Sequence, residues 1–242
     1  MMKKFVLALL AAALFASAAF AGGASVTTGA GYMKMAQELC AAYKAETGKT
    51  VQEMYGGNIG QMLAQIEAGS GANIVISDKG TLDNVKSGVK FESFQPLGGT
   101  ALVLAWRKGV KISAPADLEK PEIKSVCYPD PKAAIYGRAA AKFLETSGLG
   151  AKIKDKVSQV STVPQVFGYL ASGEMDAGFV NRVAVRSGAA KIGGSLEITE
   201  GYAPINMVAA VVQGQSGPEV RDFLDFLKTE KAKEILKKQG VW

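Results

Sequence analysis

No histidine occurs among the 242 residues. That excludes a Ser-His-Asp triad, a histidine general base and any zinc site with a histidine ligand. Cysteine is almost as scarce, with only Cys40 and Cys127. A single disulfide is open to so small a set, but its pairing is not fixed by sequence. Cys40 falls on the apolar face of an expected helix and Cys127 in a short strand, which favours two separate buried thiols. Basic residues form no dense stripe interleaved with aromatics, so no nucleic-acid partner is expected. The formal charge is +6, a mild excess. Beyond the N-terminus no run is long and apolar enough to span a bilayer.

The N-terminus itself has three parts. Lys3 and Lys4 precede an apolar run from Phe5 to Phe20, which ends in the small-x-small pattern Ala19-Phe20-Ala21. This is the layout of a cleaved secretory signal peptide over residues 1–21, with a periplasmic mature chain starting near Gly22. A membrane anchor is the alternative, but the run falls short of the roughly 20 residues a spanning helix needs. No cysteine follows closely enough for a lipid anchor.

Strand-like and helix-like patterns then alternate, the mark of an α/β fold. Strands are expected at Ser25–Thr28, Thr50–Met54, Ile74–Ile76, Thr100–Trp106, Ser125–Tyr128, Val157–Ser161, Ala177–Val180 and Asn206–Val212. Tyr32, Met35, Ala36, Leu39, Cys40 and Tyr43 repeat at helical spacing, and Gly48 suits the C-cap. Helices are also expected from Ile59, across Arg138–Thr146, from Val163, and as one C-terminal helix carrying Val220, Phe223, Leu224, Leu227, Ile235 and Leu236. Four loops stand between a strand and a helix: Thr28-Gly29-Ala30-Gly31, Tyr55-Gly56-Gly57-Asn58, Ala134-Ile135-Tyr136-Gly137 and Ser161-Thr162-Val163-Pro164. Each offers N–H groups at a helix start, where partial positive charge favours an anion. Such turns are also ordinary α/β punctuation.

The segments Gln65-Ile66-Glu67-Ala68-Gly69-Ser70-Gly71-Ala72-Asn73-Ile74-Val75-Ile76-Ser77, Asp130-Pro131 with Tyr136-Gly137-Arg138, and Gly173-Glu174-Met175-Asp176-Ala177-Gly178-Phe179-Val180 resemble the molybdate-binding proteins of ABC importers. The resemblance runs from about Ser25 to Trp242. It implies a type II periplasmic-binding-protein fold: two α/β lobes joined by two crossover strands, here Thr100–Trp106 and Asn206–Val212. Lobe I would hold residues 22–98 and 206–242, and lobe II residues 99–205. It implies a monomer that binds a small anion between the lobes and meets a membrane permease, with no cofactor and no catalytic or metal-binding residue.

On the family pattern the ligand contacts are Gly31, Asn58, Ile59, Tyr136, Val163 and Asn181, with Arg182 beside them. Tyr136 and Val163 would give backbone N–H groups. Serine normally stands at Gly31 and in the loop at Asn58-Ile59-Gly60, and tyrosine at Asn181. All three hydroxyl positions therefore depart, though Asn58 and Asn181 can donate through their amides. Each lost donor would cost about 1.5–3 kcal/mol if nothing replaced it. Molybdate or tungstate thus competes with a different small organic or polar anion. Arg182 is either a cation for a carboxylate or a surface ion-pair residue. Arg138 also lies near the expected site. Tyr32 and Tyr55 either line the cleft or pack in the core. A ligand sensor and an exported enzyme using Asp130, Glu174 or Asp176 are the competing functions; no acid–base pair with a nucleophile supports the enzyme.

Overall fold

A computed structural model describes residues 23–242; the expected signal peptide lies outside the described residues. The chain opens with β1 (Ser25–Thr28), α1 (Met33–Thr47), β2 (Gln52–Glu53), α2 (Ile59–Glu67), β3 (Ile74–Asp78), α3 (Lys79–Asn84) and β4 (Phe91–Thr100). It continues through β5 (Leu102–Trp106), β6 (Val126–Pro129), α4 (Ile135–Thr146), α5 (Leu149–Lys152), β7 (Val157–Val160), α6 (Val163–Ser172), β8 (Ala177–Asn181), α7 (Arg182–Gly188) and β9 (Gly194–Ile198). It closes with β10 (Ile205–Val212), α8 (Pro218–Phe226) and α9 (Glu230–Lys238). No helix among the described residues is long and apolar enough to cross a membrane.

These strands form two mixed sheets. The first has the order β2-β1-β3-β10-β4 and the second β7-β6-β8-β5-β9. Within each, three strands run parallel, β1 with β2 and β3, and β6 with β7 and β8. β10 pairs antiparallel with both β3 and β4, and β5 with both β8 and β9. The chain passes between sheets at Ala101, where β4 gives way to β5, and again on the way from β9 to β10. The first passage differs from the single strand expected over Thr100–Trp106. β4 escaped the pattern because Pro96 and Gly98-Gly99 interrupt it. Pro96 is tolerated because β4 lies at the sheet's edge. Gly98, at φ 135°, lies against the backbone of Trp242, where a Cβ would sit 2.8 Å from the Trp242 oxygen.

Each sheet buries its own apolar surface. In the first, Val26, Ile74, Val75 and Ile76 are buried under α1 and the C-terminal helices, where the Tyr43 and Phe223 rings meet edge-on at 5.2 Å. In the second, Leu102, Leu104, Val126 and Phe179 are buried, and Phe143 of α4 packs 5.9 Å from Phe179. Continuous burial along β3, β5, β6 and β8 is what strands covered on both faces require. Gly48 ends α1 in the left-handed conformation, φ 73°, as its position predicts. The C-terminal helix is two helices rather than one. Thr229 breaks it by capping α9, accepting a hydrogen bond from Ala232 N. Cys40 and Cys127 are both free and buried, and burial pushes each thiol up to about 12.

Candidate ligand-binding site

The four loops identified in the sequence converge where the two sheets' carboxyl ends face each other. They enclose a cavity of about 30 Å3 lined by Gly29–Tyr32, Gly57–Ile59, Ala134–Tyr136, Thr162 and Val163. That is room for two or three water-sized groups, which suits a compact ion and excludes a sugar or peptide. Among the described residues no charged side chain is in the lining.

What the loops offer instead is backbone. At α2, Gln61 N is taken by Asn58 Oδ1 and Gly60 N donates to Ala133 O at 3.3 Å; no partner of Ile59 N is found among the described residues. At α6, Pro164 has no N–H and Gln165 N is taken by Thr162 Oγ1, which leaves Val163 N. At α4, the N-cap Ala134 has no side-chain cap, and the first intrahelical bond comes from Arg138 N. The N–H groups of Ile135 and Tyr136 precede it. In the first loop Ala30 N donates to Gly57 O and Tyr32 N to Gly29 O, which leaves Gly31 N. Thus Gly31, Ile59, Tyr136 and Val163, from four separate elements, each bring to one cavity an N–H with no partner among the described residues. Helix starts direct such groups outward along the axis, with the positive end of the dipole behind them.

The side chains are disposed otherwise than the sequence suggests. Asn58 caps α2, so its oxygen is committed, while its NH2 has no partner among the described residues. Ile59 is buried and turns toward Gly29. Asn181 is fully buried and outside the lining: its Oδ1 caps α7 through Ala184 N, and its Nδ2 donates to Gly31 O at 2.8 Å. Its oxygen and one of its two amide N–H groups are therefore committed to the protein. Arg182 is also outside the lining. Its guanidinium pairs with Glu197 and stacks over the Trp242 ring, 3.9 Å from the centroid. Thr162 lines the cavity, although sequence reasoning passed over it as a contact. Its place at the N-cap, three residues before Gln165, was the available signal.

Tyr32 and Tyr136 do both things their position allows. They line the cavity and are fully buried, and their hydroxyls hydrogen-bond to each other between the two units, each unit being one sheet with its helices. Tyr136 also approaches Thr100 Oγ1 at 3.4 Å. Burial is the main reason both phenols ionise well above their ordinary range, so the pair stays neutral. A second bridge joins Arg138 of α4 to the buried carboxylate of Asp78, which also accepts from Thr81 N at 2.8 Å and Asn206 N at 2.8 Å.

The carboxylates considered for catalysis do not converge. Asp130 accepts from Lys132 N, and Glu174 pairs with the Ser172 hydroxyl. Asp176 ties Arg107 to the backbone of Lys124 and Ser125.

The molecule is similar over nearly its full length to known binding proteins. The molybdate-binding protein ModA of Azotobacter vinelandii is 27% identical over 238 residues, covering 96% of this chain and 94% of its own. The ModA protein of Rhodobacter capsulatus is 29% identical over 232 residues, covering 92% and 89%. The solved structure of the Azotobacter vinelandii periplasmic molybdate-binding protein superposes with a TM-score of 0.76 at 24% identity, covering 90% of this chain and 98% of that one. The bacterial extracellular solute-binding protein profile matches residues 24–241, and this chain belongs to that family.

Proposed function

We propose that this protein is the extracytoplasmic receptor of an ABC importer and takes a small tetrahedral oxyanion of the molybdate or tungstate kind. The observation that carries this reading is the meeting, on a cavity of about 30 Å3, of four N–H groups with no partner among the described residues. A buried anion is stable only where its oxygens are hydrogen-bonded. Backbone N–H groups do this without titrating and without a counter-charge, and charge-assisted bonds of this kind are about twice as strong as neutral ones. Asn58 Nδ2 and the Thr162 hydroxyl are side-chain donors on the wall, beside the phenols of Tyr32 and Tyr136, which bond to each other. Two similar relatives carry molybdate-binding names, which supports the same ligand class.

Asn181 is withdrawn from the donor set, and no hydroxyl stands at Gly31 or Ile59. Molybdate should therefore be held less tightly here than in relatives with serine and tyrosine at these places. Calorimetric titration with molybdate, tungstate and sulfate decides the matter. Binding of at least one at a single site is expected, and silence toward all three overturns the reading.

A further inference from the structure

We infer that a second, larger cavity between the two units is a site for a small dicarboxylate, distinct from the oxyanion cavity and sharing only Ala134 with it. It measures about 530 Å3, within the range of pockets that hold organic molecules. Its walls come from both units. Thr81, Asn84 and Lys86 belong to the α3 region of the first, and Lys132 and Arg138 to the β6–α4 connection and α4 of the second.

The charge on these walls is of one sign. Lys86, Lys132 and Arg138 line the cavity and no carboxylate does. Asp78 occupies one edge of Arg138 through Nη2. Neither lysine has an ion-pair partner among the described residues. The Nε of Arg138 is buried with no hydrogen-bond partner, so its guanidinium holds donor capacity that the protein does not use. Like charges brought together from facing walls repel, and an anion between them reverses the sign of that interaction. Val85, Pro131 and Ala133 supply apolar wall between the cations. A ligand with a carboxylate at each end and methylenes between matches this layout, with one end toward Lys86 and the other toward Lys132 and Arg138. A bare inorganic ion leaves the apolar wall uncovered.

Such a ligand would join the two units and favour their closure, because its two ends are held by different ones. Succinate is the probe, with the neutral diamide succinamide as its control. In calorimetric titration of the full chain, succinate is expected to bind and succinamide not to. The Lys86→Gln, Lys132→Gln double variant should weaken succinate at least about tenfold, roughly 1.4 kcal/mol, with its thermal unfolding unchanged in the absence of ligand. Molybdate titration reports on the other cavity and should be the same in variant and parent. Absence of succinate binding at millimolar concentration, equal binding of succinamide, or undiminished binding to the double variant overturns the inference. None of these outcomes bears on the oxyanion site, whose own titration stands or falls separately.

Discussion

The amide of Asn181 donates to the carbonyl oxygen of Gly31 at 2.8 Å, 150 positions away in the chain, and this bond closes one unit directly on the other at the edge of the oxyanion cavity. A Cβ on Gly31 would stand 3.1 Å from Asn181 Nδ2 and 3.4 Å from Val163 Cβ. Glycine at 31 and asparagine at 181 thus belong to one arrangement, in which the wall itself fills the space that two larger side chains would take.

Gly31→Ser should consequently impair binding rather than restore a donor. The added Cβ crowds Asn181 Nδ2, which must give by a few tenths of an ångström, and that shift loosens its bond to the Gly31 carbonyl. A several-fold loss of oxyanion affinity is expected, on the order of 1 kcal/mol, in calorimetric titration. A gain in affinity would show that the hydroxyl reaches the ligand without displacing its neighbours.

The tyrosine pair should behave as a unit. Tyr32→Phe or Tyr136→Phe leaves the other buried hydroxyl without its partner and should cost about 1–3 kcal/mol. The double variant removes both polar groups and should cost clearly less than the sum of the two, an inequality that a double-mutant cycle by urea unfolding measures. Because burial raises both phenols, the unfolded chain loses these protons first as pH rises through about 10. The pair's contribution is therefore complete below that pH and declines above it.

Asp176 should govern part of the acid limb of stability. Burial alone would raise its carboxyl, but the N–H of Lys124, the guanidinium of Arg107 and the N–H of Ser125 outweigh it and hold the group below the usual range. As pH falls through about 4 the unfolded chain takes up this proton while the folded chain does not. The contribution is present above that value and is lost as pH drops toward the folded pKa. Asp176→Asn should cost about 2 kcal/mol at neutral pH and flatten the fall of thermal midpoint between pH 5 and 3.

Arg138→Met should be severe for a different reason. Asp78 has no exposed surface, and removing its cation leaves a buried carboxylate with only neutral donors. A loss of about 3–5 kcal/mol is expected, read from urea unfolding. Adding Asp78→Asn to that variant should recover part of it.

The elements that build the oxyanion cavity were legible in the sequence because local chemistry fixes them. Gly29, Gly57, Ala134 and Thr162 mark the turns, and the spacing of Tyr32 to Tyr43 and of Ile59 to Ile66 sets the helices behind them. The direction of Asn181 and Arg182 was not legible. Asn181 ends β8 and Arg182 opens α7, but Gly31 and Trp242, which they meet, are brought near only when two separately built sheets come together. β4 was hidden by Pro96 and paired glycines, which an edge strand tolerates. The division of α8 from α9 rested on one threonine cap within a continuous apolar stripe.

The place of β10 between β3 and β4 in the first sheet carries a consequence for how the chain folds. Its neighbours β3 and β4 are complete by Thr100, yet the strand that joins them begins only at Ile205. Until then the facing edges of β3 and β4 have no ladder between them, and the whole second sheet is made in the interval. Closing so long a loop is slow, because its entropy is lost before the non-local contacts form. The first sheet is therefore the late-forming one, and a chain held short of residue 205 should remain open to proteolysis there while its second sheet is already protected.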